Sequence, residues 1–352
     1  MKTSNQRIEK ISPLLTPSEL VEMYPVSSKA AKLITATREK LSSIIHKDDD
    51  RLLVIVGPCS IHDVDAAHEY ADKLKVVREN LSDQLEIVMR VYFEKPRTTI
   101  GWKGLINDPD LDGSYQINKG LQIARKLLLE INMKGLPAGC EFLDALTAQY
   151  YADIVSWGAI GARTTESQIH RELASGLSCP IGFKNGTNGS VNIAADAVIA
   201  ARSQHVFPGL TEEGGAALFT TKGNQDSHVI LRGGKDPNYD AMSVANAVNE
   251  LEKRSILAGL MIDMSHANSQ KQYERQLIVG EDIAQQIEQG SKNIIGCMIE
   301  SHLVAGNQKA DSKQTLTYGQ SITDGCIDWQ ETDRILRQLA SAVSIRRTKK
   351  AA

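Results

Sequence analysis

The sequence predicts a (β/α)8 barrel, the α/β fold in which eight parallel strands alternate with helices. Eight short apolar runs rich in β-forming residues occur along the 352-residue chain. Segments of helical period separate these runs, with Gly or Pro at most junctions. Eight strands within about 250 residues favour a closed barrel over an open doubly wound sheet. The predicted strands cover residues 52–56, 85–93, 136–143, 157–163, 180–184, 228–231, 260–264 and 294–300.

The predicted barrel helices are amphipathic segments between the strands, such as residues 65–80, 120–133 and 280–288. Residues 1–50 precede the barrel and form a predicted helical extension, which serves packing, oligomer contacts or regulation. The first helix of this extension is predicted to start at Thr16-Pro17-Ser18-Glu19, a capping-box sequence. A second helix is predicted over residues 28–46.

A long gap separates the fifth and sixth predicted strands. A helix over residues 191–202 is followed by a predicted β-hairpin at about 205–222, with its turn at Gly214-Gly215. The catalytic barrel therefore spans residues 51–345, including this hairpin. Residues 346–352 are predicted to be a basic, solvated tail.

Composition excludes several classes of function. The formal net charge of −3 argues against a nucleic-acid-binding surface. No apolar run approaches the ~20 residues that span a bilayer, and the N-terminus lacks the apolar core of a signal peptide. The five cysteines are widely spaced without a CxxC pair, which suits free thiols. We therefore expect a cytoplasmic protein without nucleic-acid or membrane partners.

Residues able to bind metal follow several predicted strands. Cys59, His266 and Glu300 come at strand ends, and Asp324 lies in the loop after the eighth strand. The carboxyl ends of barrel strands meet at one mouth. Thiolate, imidazole and carboxylate together suit a transition metal such as Mn, Fe, Co, Zn or Cu. The alternative is that Cys59 and His266 are simply packed residues at loop starts.

Cationic side chains form a second group at the strand ends, together with the acidic Glu141. Each alone is more often a solvated surface charge, but all of them follow apolar strands. So many cations in one mouth would repel one another unless the substrates carry several negative charges, most simply phosphates. The cations are Arg90, Lys95, Arg97, Arg163, Lys184, Arg232 and Lys235.

These segments resemble the microbial 3-deoxy-D-arabino-heptulosonate 7-phosphate (DAHP) synthases, in the class with feedback-regulated isoenzymes. The resemblance runs from about residue 7 to 345 and includes the motifs GPCSIHD and KPRTT. The carrying segments are residues 57–63, 90–99, 101–109, 161–168, 182–187, 231–235, 265–269 and 299–301.

The resemblance implies an enzyme that condenses phosphoenolpyruvate with D-erythrose 4-phosphate, the first step of the shikimate pathway. It implies one divalent metal ion per subunit (Mn, Fe, Co or Zn), bound by Cys59, His266, Glu300 and Asp324. Phosphoenolpyruvate would be held by Arg90, Arg163, Lys184 and Arg232, with Glu141 also in the substrate site. Erythrose 4-phosphate would bind at Lys95, Arg97 and Thr98. Lys95 is the candidate proton donor, beside the metal ligands Cys59 and His266.

The resembled isoenzymes also bind an aromatic amino acid as a feedback inhibitor. The sequence is nearest the phenylalanine-regulated type. Tyrosine and tryptophan stay as alternatives, because Ala148 stands where that type has proline. The resemblance further implies a homodimer or homotetramer built with the N-terminal arm. The predicted effector residues are Asn5, Ala148, Gln149, Leu173, Leu177, Ser178, Phe207 and Gly209.

Two other functions compete with this interpretation. A sister enzyme, 3-deoxy-manno-octulosonate 8-phosphate synthase, uses the same donor with a five-carbon acceptor, but its family resembles Lys-Ala-Asn-Arg where this chain has Lys-Pro-Arg-Thr at residues 95–98. A non-catalytic barrel that only binds a regulator would leave the cationic mouth without a role.

Overall fold

The computed structural model describes residues 3–257, 259–310 and 315–351. Eight of its strands are parallel and close into a barrel, in the order β1-β10-β9-β8-β5-β4-β3-β2. The predicted (β/α)8 fold is therefore confirmed. The strands are β1 (Leu52–Gly57), β2 (Leu85–Arg90), β3 (Ala138–Glu141), β4 (Trp157–Ile160), β5 (Ile181–Lys184), β6 (Val206–Leu210), β7 (Ala216–Thr220), β8 (His228–Leu231), β9 (Leu260–Asp263), β10 (Ile294–Glu300), β11 (Val304–Asn307) and β12 (Gln320–Ser321).

The barrel strands are buried along their whole length. Side chains of a parallel barrel face either the barrel interior or the surrounding helices, so both sets of strand positions must be largely apolar. This requirement explains why the strands appear in the sequence as continuous apolar runs. β1 pairs with both β2 and β10, which closes the sheet.

Helices surround the barrel and extend it at the N-terminus. α1 has the predicted capping box: the Thr16 hydroxyl accepts the Glu19 amide, and the Glu19 carboxylate accepts the Thr16 amide. α6 has the bounds predicted from the sequence. The helices are α1 (Pro17–Met23), α2 (Ser28–Ile45), α3 (Val64–Asn80), α4 (Ile117–Met133), α5 (Gln168–Gly176), α6 (Val191–Arg202), α7 (Ala241–Glu252), α8 (Gln276–Glu288) and α9 (Trp329–Ala351).

The predicted hairpin is present as the antiparallel pair β6 and β7. Its tip contacts the N-terminal extension, because the Ser18 amide donates to the Glu212 carbonyl at 2.8 Å. A side chain at Gly214 would meet Thr16, and the φ of +80° at this residue also favours glycine. The insertion is thus anchored on α1.

Two features differ from the sequence predictions. The terminal basic residues 346–351 continue α9 instead of forming a solvated tail: Arg346 is buried and donates to the carbonyls of Asp50 and Ser291. The small parallel pair β11 and β12 was not predicted, and it shapes the loop that carries Asp324.

All five cysteines are buried and free, as expected. Among the described residues, no helix has both the length and the apolarity needed to cross a membrane.

Candidate active site

The carboxyl ends of β1 and β10 bring three potential metal ligands together. Gly57 pairs with Glu300 across the two strands, so Cys59 lies just beyond the strand end that faces Glu300. One ligand atom each from Cys59, Glu300 and Asp324 lies within 4.8 Å of the other two. The Cys59 Sγ is 3.7 Å from Asp324 Oδ2.

His266 stands beside this cluster. Its Nε2 lies 3.9 Å from Glu300 Oε1. The residue has a φ of +58°, an uncommon conformation for a non-glycine residue that often marks a functional constraint. Sulfur, imidazole nitrogen and carboxylate oxygen are a donor set that fits a borderline transition metal. The four predicted ligands are therefore neighbours, and their role as ligands stays a prediction.

Two cations contact the same cluster from β2 and the segment after it. Lys95 Nζ lies 3.1 Å from Cys59 Sγ and 3.3 Å from the Cys59 carbonyl. Arg90 is almost completely buried; its Nη2 is 2.9 Å from Glu300 Oε1, and its Nη1 donates to the Pro58 and Cys59 carbonyls. These contacts hold both side chains in fixed positions at the mouth.

The electrostatics of the cluster keep Glu300 ionised. Burial acts to raise its pKa, but the charges of His266, Arg90 and Lys95 outweigh burial and lower the pKa to about 2. For Lys95, burial acts to lower the pKa, while the Cys59 sulfur, once ionised, and the Glu300 carboxylate raise it to about 12. Lys95 is therefore protonated at neutral pH.

Unlike Glu300 and Lys95, the Cys59 thiol is held in its neutral form. Burial and the neighbouring Glu300 raise its pKa, and Lys95 and Arg90 only partly offset them. A bound metal cation would favour the thiolate, because coordination stabilises the deprotonated sulfur. On its own, the buried sulfur is held as the neutral thiol.

Asp263 is a site residue that sequence reasoning missed. It is fully buried at the end of β9, and its Oδ2 lies 2.9 Å from Lys184 Nζ and 2.8 Å from His266 Nδ1. Burial acts to raise its pKa, but His266 and Lys184 hold it well below the usual range. The signal in the sequence was an acid inside an otherwise apolar run, two residues before Ser265.

Two further missed residues orient Glu300. The Ser265 hydroxyl donates to Glu300 Oε2 at 2.8 Å. The Gln276 side chain pairs with the Glu300 backbone, donating to its carbonyl and accepting its amide, each at 2.9 Å. Such partners restrict a metal-ligating carboxylate to one orientation.

The outer cations line the rim of the mouth. Arg163 is exposed and donates to the Pro96 carbonyl at 3.0 Å. Arg232 is half-buried, and burial lowers its pKa. The Asp263 charge acts against this shift, and the Arg163 charge adds to it. The two arginines are thus close enough to repel each other, as expected where an anion binds between them.

The segment that contains the predicted erythrose 4-phosphate residues forms a loop closed by a backbone bond. The Lys95 amide donates to the Lys103 carbonyl at 2.8 Å. Arg97 and Thr98 are exposed on this loop, and Arg97 Nε donates to the Trp102 carbonyl. Lys235 is also exposed at the rim.

Glu141 ends β3 and is buried. Its Oε1 lies 2.4 Å from where a Cβ at Gly161 would be, so the glycine provides the space that this carboxylate occupies. Glu141 therefore reaches toward the first residue after β4, on the same side of the barrel as the cations.

The predicted effector residues lie on several separate segments of the chain. The end of α5 contacts the base of the hairpin, since Ser175 Oγ lies 2.8 Å from Thr221 Oγ1. The turn Thr147–Tyr150 contacts the residue before α1's cap, because the Tyr150 hydroxyl donates to the Leu15 carbonyl. Asn5 is exposed, and its carbonyl accepts the Ile8 amide. Ala148 and Leu173 are buried, Ser178 is exposed, and Gln149, Leu177, Phe207 and Gly209 are partly buried.

Comparison with known proteins gives consistent relatives. The family model of the DAHP synthetase I family matches residues 23–337. The chain is 59% identical to the Phe-sensitive phospho-2-dehydro-3-deoxyheptonate aldolase of Escherichia coli K12, over 97% of each chain. It is 54% identical to the Trp-sensitive enzyme of the same strain, over 98% of this chain and 99% of the other. The solved phospho-2-dehydro-3-deoxyheptonate aldolase of Francisella tularensis SCHU S4 matches with a TM-score of 0.95 and 53% identity, over 96% of this chain and 99% of that one.

Proposed function

The chain belongs to the DAHP synthetase I family, and from this premise we propose that it condenses phosphoenolpyruvate with D-erythrose 4-phosphate to give DAHP and phosphate. One observation carries the proposal: protonated Lys95 lies 3.1 Å from Cys59 Sγ, beside the buried Glu300 and the exposed Asp324 at the barrel mouth. In the proposed enzyme, this cluster would join a site for a metal ion to a site for anionic substrates.

The cations of the mouth would bind phosphoenolpyruvate. Arg163 and Arg232 present guanidinium groups at the rim, where they can grip a phosphate or carboxylate through paired N–H donors. Arg90 and Lys184 lie deeper and are each fixed by a buried carboxylate, Glu300 and Asp263 respectively. Arg97 and Thr98 would hold the phosphate of erythrose 4-phosphate on the exposed loop.

One divalent transition metal ion, Mn, Fe, Co or Zn, would be held by Cys59, His266, Glu300 and Asp324. When bound, such an ion supplies a Lewis acid that can polarise the aldehyde of erythrose 4-phosphate. The donor set of sulfur, nitrogen and oxygen supports this type of metal, and Asp263 would fix the ring of His266 through Nδ1.

The chemistry of the chain's own residues centres on Lys95. C3 of phosphoenolpyruvate attacks the aldehyde carbon of erythrose 4-phosphate, and Lys95 donates its proton to the oxygen that becomes negative. Water then adds to C2, and the C–O bond to phosphate breaks, which releases inorganic phosphate. The positive groups around the site stabilise the phosphate and carboxylate charges during these steps.

The direct test is phosphate release from phosphoenolpyruvate by protein stripped with EDTA and then supplied with Mn²⁺. Release should require both the metal and erythrose 4-phosphate. No release with any metal would contradict the proposal, and release only with arabinose 5-phosphate would favour the sister activity. A Cys59→Ala protein that bound one metal ion per subunit and stayed active would contradict the ligand assignment.

We further propose feedback inhibition by an aromatic amino acid, with phenylalanine favoured and tyrosine or tryptophan as alternatives. Relatives named Phe-sensitive and Trp-sensitive match this chain at similar identity, 59% and 54%, so overall similarity does not choose the effector. Calorimetry with each amino acid would identify it, and absence of binding by all three would contradict the proposal.

A homodimer or homotetramer built through the N-terminal arm is also proposed. Apolar side chains of this arm are exposed in the single chain, among them Ile8, Ile11 and Leu14, as expected of a surface that another subunit covers. Sedimentation of the full chain would report the assembly, and a monomer at micromolar concentration would contradict it.

A further inference from the structure

A second cavity lies at the end of the barrel opposite the candidate active site. It encloses about 390 Å³, a size within the range of small-molecule sites, about 300–1,000 Å³. It opens where β1 and β10 begin, between the end of α2 and the last turns of α9. We call it the basal pocket, and Ile44, Lys47, Arg51, Lys292, Arg346 and Lys349 are among its lining residues.

The basal pocket is strongly cationic. Six lysine and arginine side chains line it but only two acids, Asp49 and Asp50, in a chain whose formal net charge is −3. Both acids are already paired, Asp49 with Arg51 at 2.6 Å and Asp50 with Arg347 at 2.5 Å. The positive charges of the other cations are therefore not neutralised inside the pocket.

These remaining cations contact neutral groups or solvent. Lys47 Nζ lies 3.0 Å from the amide oxygen of Asn293, and Arg346 donates to two backbone carbonyls. Burial lowers the pKa of Arg346 and, although Lys47 is exposed to solvent, the protein around it lowers the pKa of Lys47 as well. Lys292 and Lys349 are exposed, and within the described part of the chain neither side chain forms an ion pair or hydrogen bond.

One wall of the basal pocket is apolar. Ile44, Ile294 and Ile295 line it and are almost completely buried, so water has access only from the open side. Charges beside such a wall act through a lower dielectric than in bulk water and attract an anion more strongly.

We propose that the basal pocket binds a small anion that carries a diphosphate group. Its unneutralised positive charge exceeds what a single carboxylate would balance. The arginines are engaged by Asp49, Asp50 and backbone carbonyls, so the lysine ammonium groups are the donors left for phosphate oxygens. The limited volume of about 390 Å³ fits a small molecule better than a nucleic acid. Neither the catalytic proposal nor any residue assigned to the mouth is involved.

Calorimetric titration of the full-length protein with inorganic pyrophosphate tests the proposal. The pocket variant is Lys292→Glu/Lys349→Glu, which alters two exposed side chains and leaves the buried ones intact. The matched control is Lys32→Glu/Lys126→Glu, which makes the same change in net charge on the exposed faces of α2 and α4. All three proteins keep the cationic mouth, so binding there is common to them.

The wild-type and control proteins should show a pyrophosphate-binding step that weakens by at least about tenfold in the pocket variant. That step should also weaken at higher ionic strength, since it depends on charge. The proposal is overturned if the wild type binds no pyrophosphate, if the three titrations coincide, or if the control loses as much affinity as the pocket variant.

Discussion

Single residues at the barrel mouth show where sequence reasoning succeeds and where it stops. Cys59 and Glu300 could be predicted to meet, because each ends an apolar run and strand ends converge in a barrel. The same rule could not identify Asp263 as a site residue. Its position between Lys184 and His266 becomes visible only in the folded barrel. Local patterns thus predict which residues reach the mouth, whereas their mutual contacts depend on tertiary packing.

Lys95→Met should lower kcat by at least about a hundredfold, because general acid catalysis typically contributes 10²–10⁴-fold. Methionine keeps the length and the apolar stem of the side chain but cannot donate a proton. Phosphate release and metal content should be measured together, with Lys75→Met on the surface of α3 as the control. A Lys95→Met protein with near-normal kcat would refute the role of this lysine.

Glu94 makes stability depend on pH. Burial and the nearby Asp144 raise its pKa to about 7, although hydrogen bonds from Thr147 and Tyr151 act in the opposite direction. The folded protein therefore holds a proton that the unfolded chain releases near pH 4.5, so this residue's contribution to the free energy of unfolding falls as pH rises from about 4.5 to about 7 and is constant above that. The total loss is on the order of 3 kcal/mol.

Glu94→Gln should remove this dependence, because glutamine stays neutral and its carbonyl can still accept both hydroxyl hydrogen bonds. Urea unfolding at several pH values between 4.5 and 8 would measure the difference between the two proteins. Parallel pH profiles for wild type and variant would show that Glu94 does not titrate in this range.

At the scale of elements, the structure follows the sequence where a local rule sets the boundary. α6 and the hairpin could be predicted because helical period, a Gly-Gly turn and alternation are all local. β11 and β12 could not, since strands of four and two residues have no detectable period and their pairing is non-local. The position of Asp324, just after β12, was consequently only a candidate in the sequence.

The capping box of α1 predicts a local effect on stability. Thr16→Ala removes the hydroxyl that accepts the Glu19 amide, which should cost about 1 kcal/mol, whereas Thr16→Ser keeps that acceptor. Because α1 holds the hairpin tip through Ser18, hydrogen exchange should become faster at the amides of both Glu19 and Ser18. Equal exchange in the alanine and serine variants would contradict a capping role.

On the scale of the whole molecule, the barrel is closed between its first and last parts. β1 pairs with β10, and α9 packs on α8 and contacts β1. The buried Arg346 joins the same parts at the basal end, donating to Asp50 just before β1 and at 3.0 Å to Ser291 just before β10. The cooperative unit should therefore include the C-terminal end of the chain, which the sequence alone suggested to be solvated.

Arg346→Ala should destabilise the whole protein by about 1–3 kcal/mol, because it removes the donor to two carbonyls in a mostly buried place. Arg337→Ala is the matched control on the same helix. That side chain is exposed and, among the residues that the structure describes, pairs only with Asp333 one turn away, so its loss should leave the urea midpoint nearly unchanged. The midpoint should fall for Arg346→Ala whether fluorescence or phosphate release is followed, since the barrel mouth cannot stay ordered once β1 and β10 separate. A variant that lost only the helicity of α9, with an unchanged midpoint for activity, would show that the C-terminal turns unfold independently of the barrel.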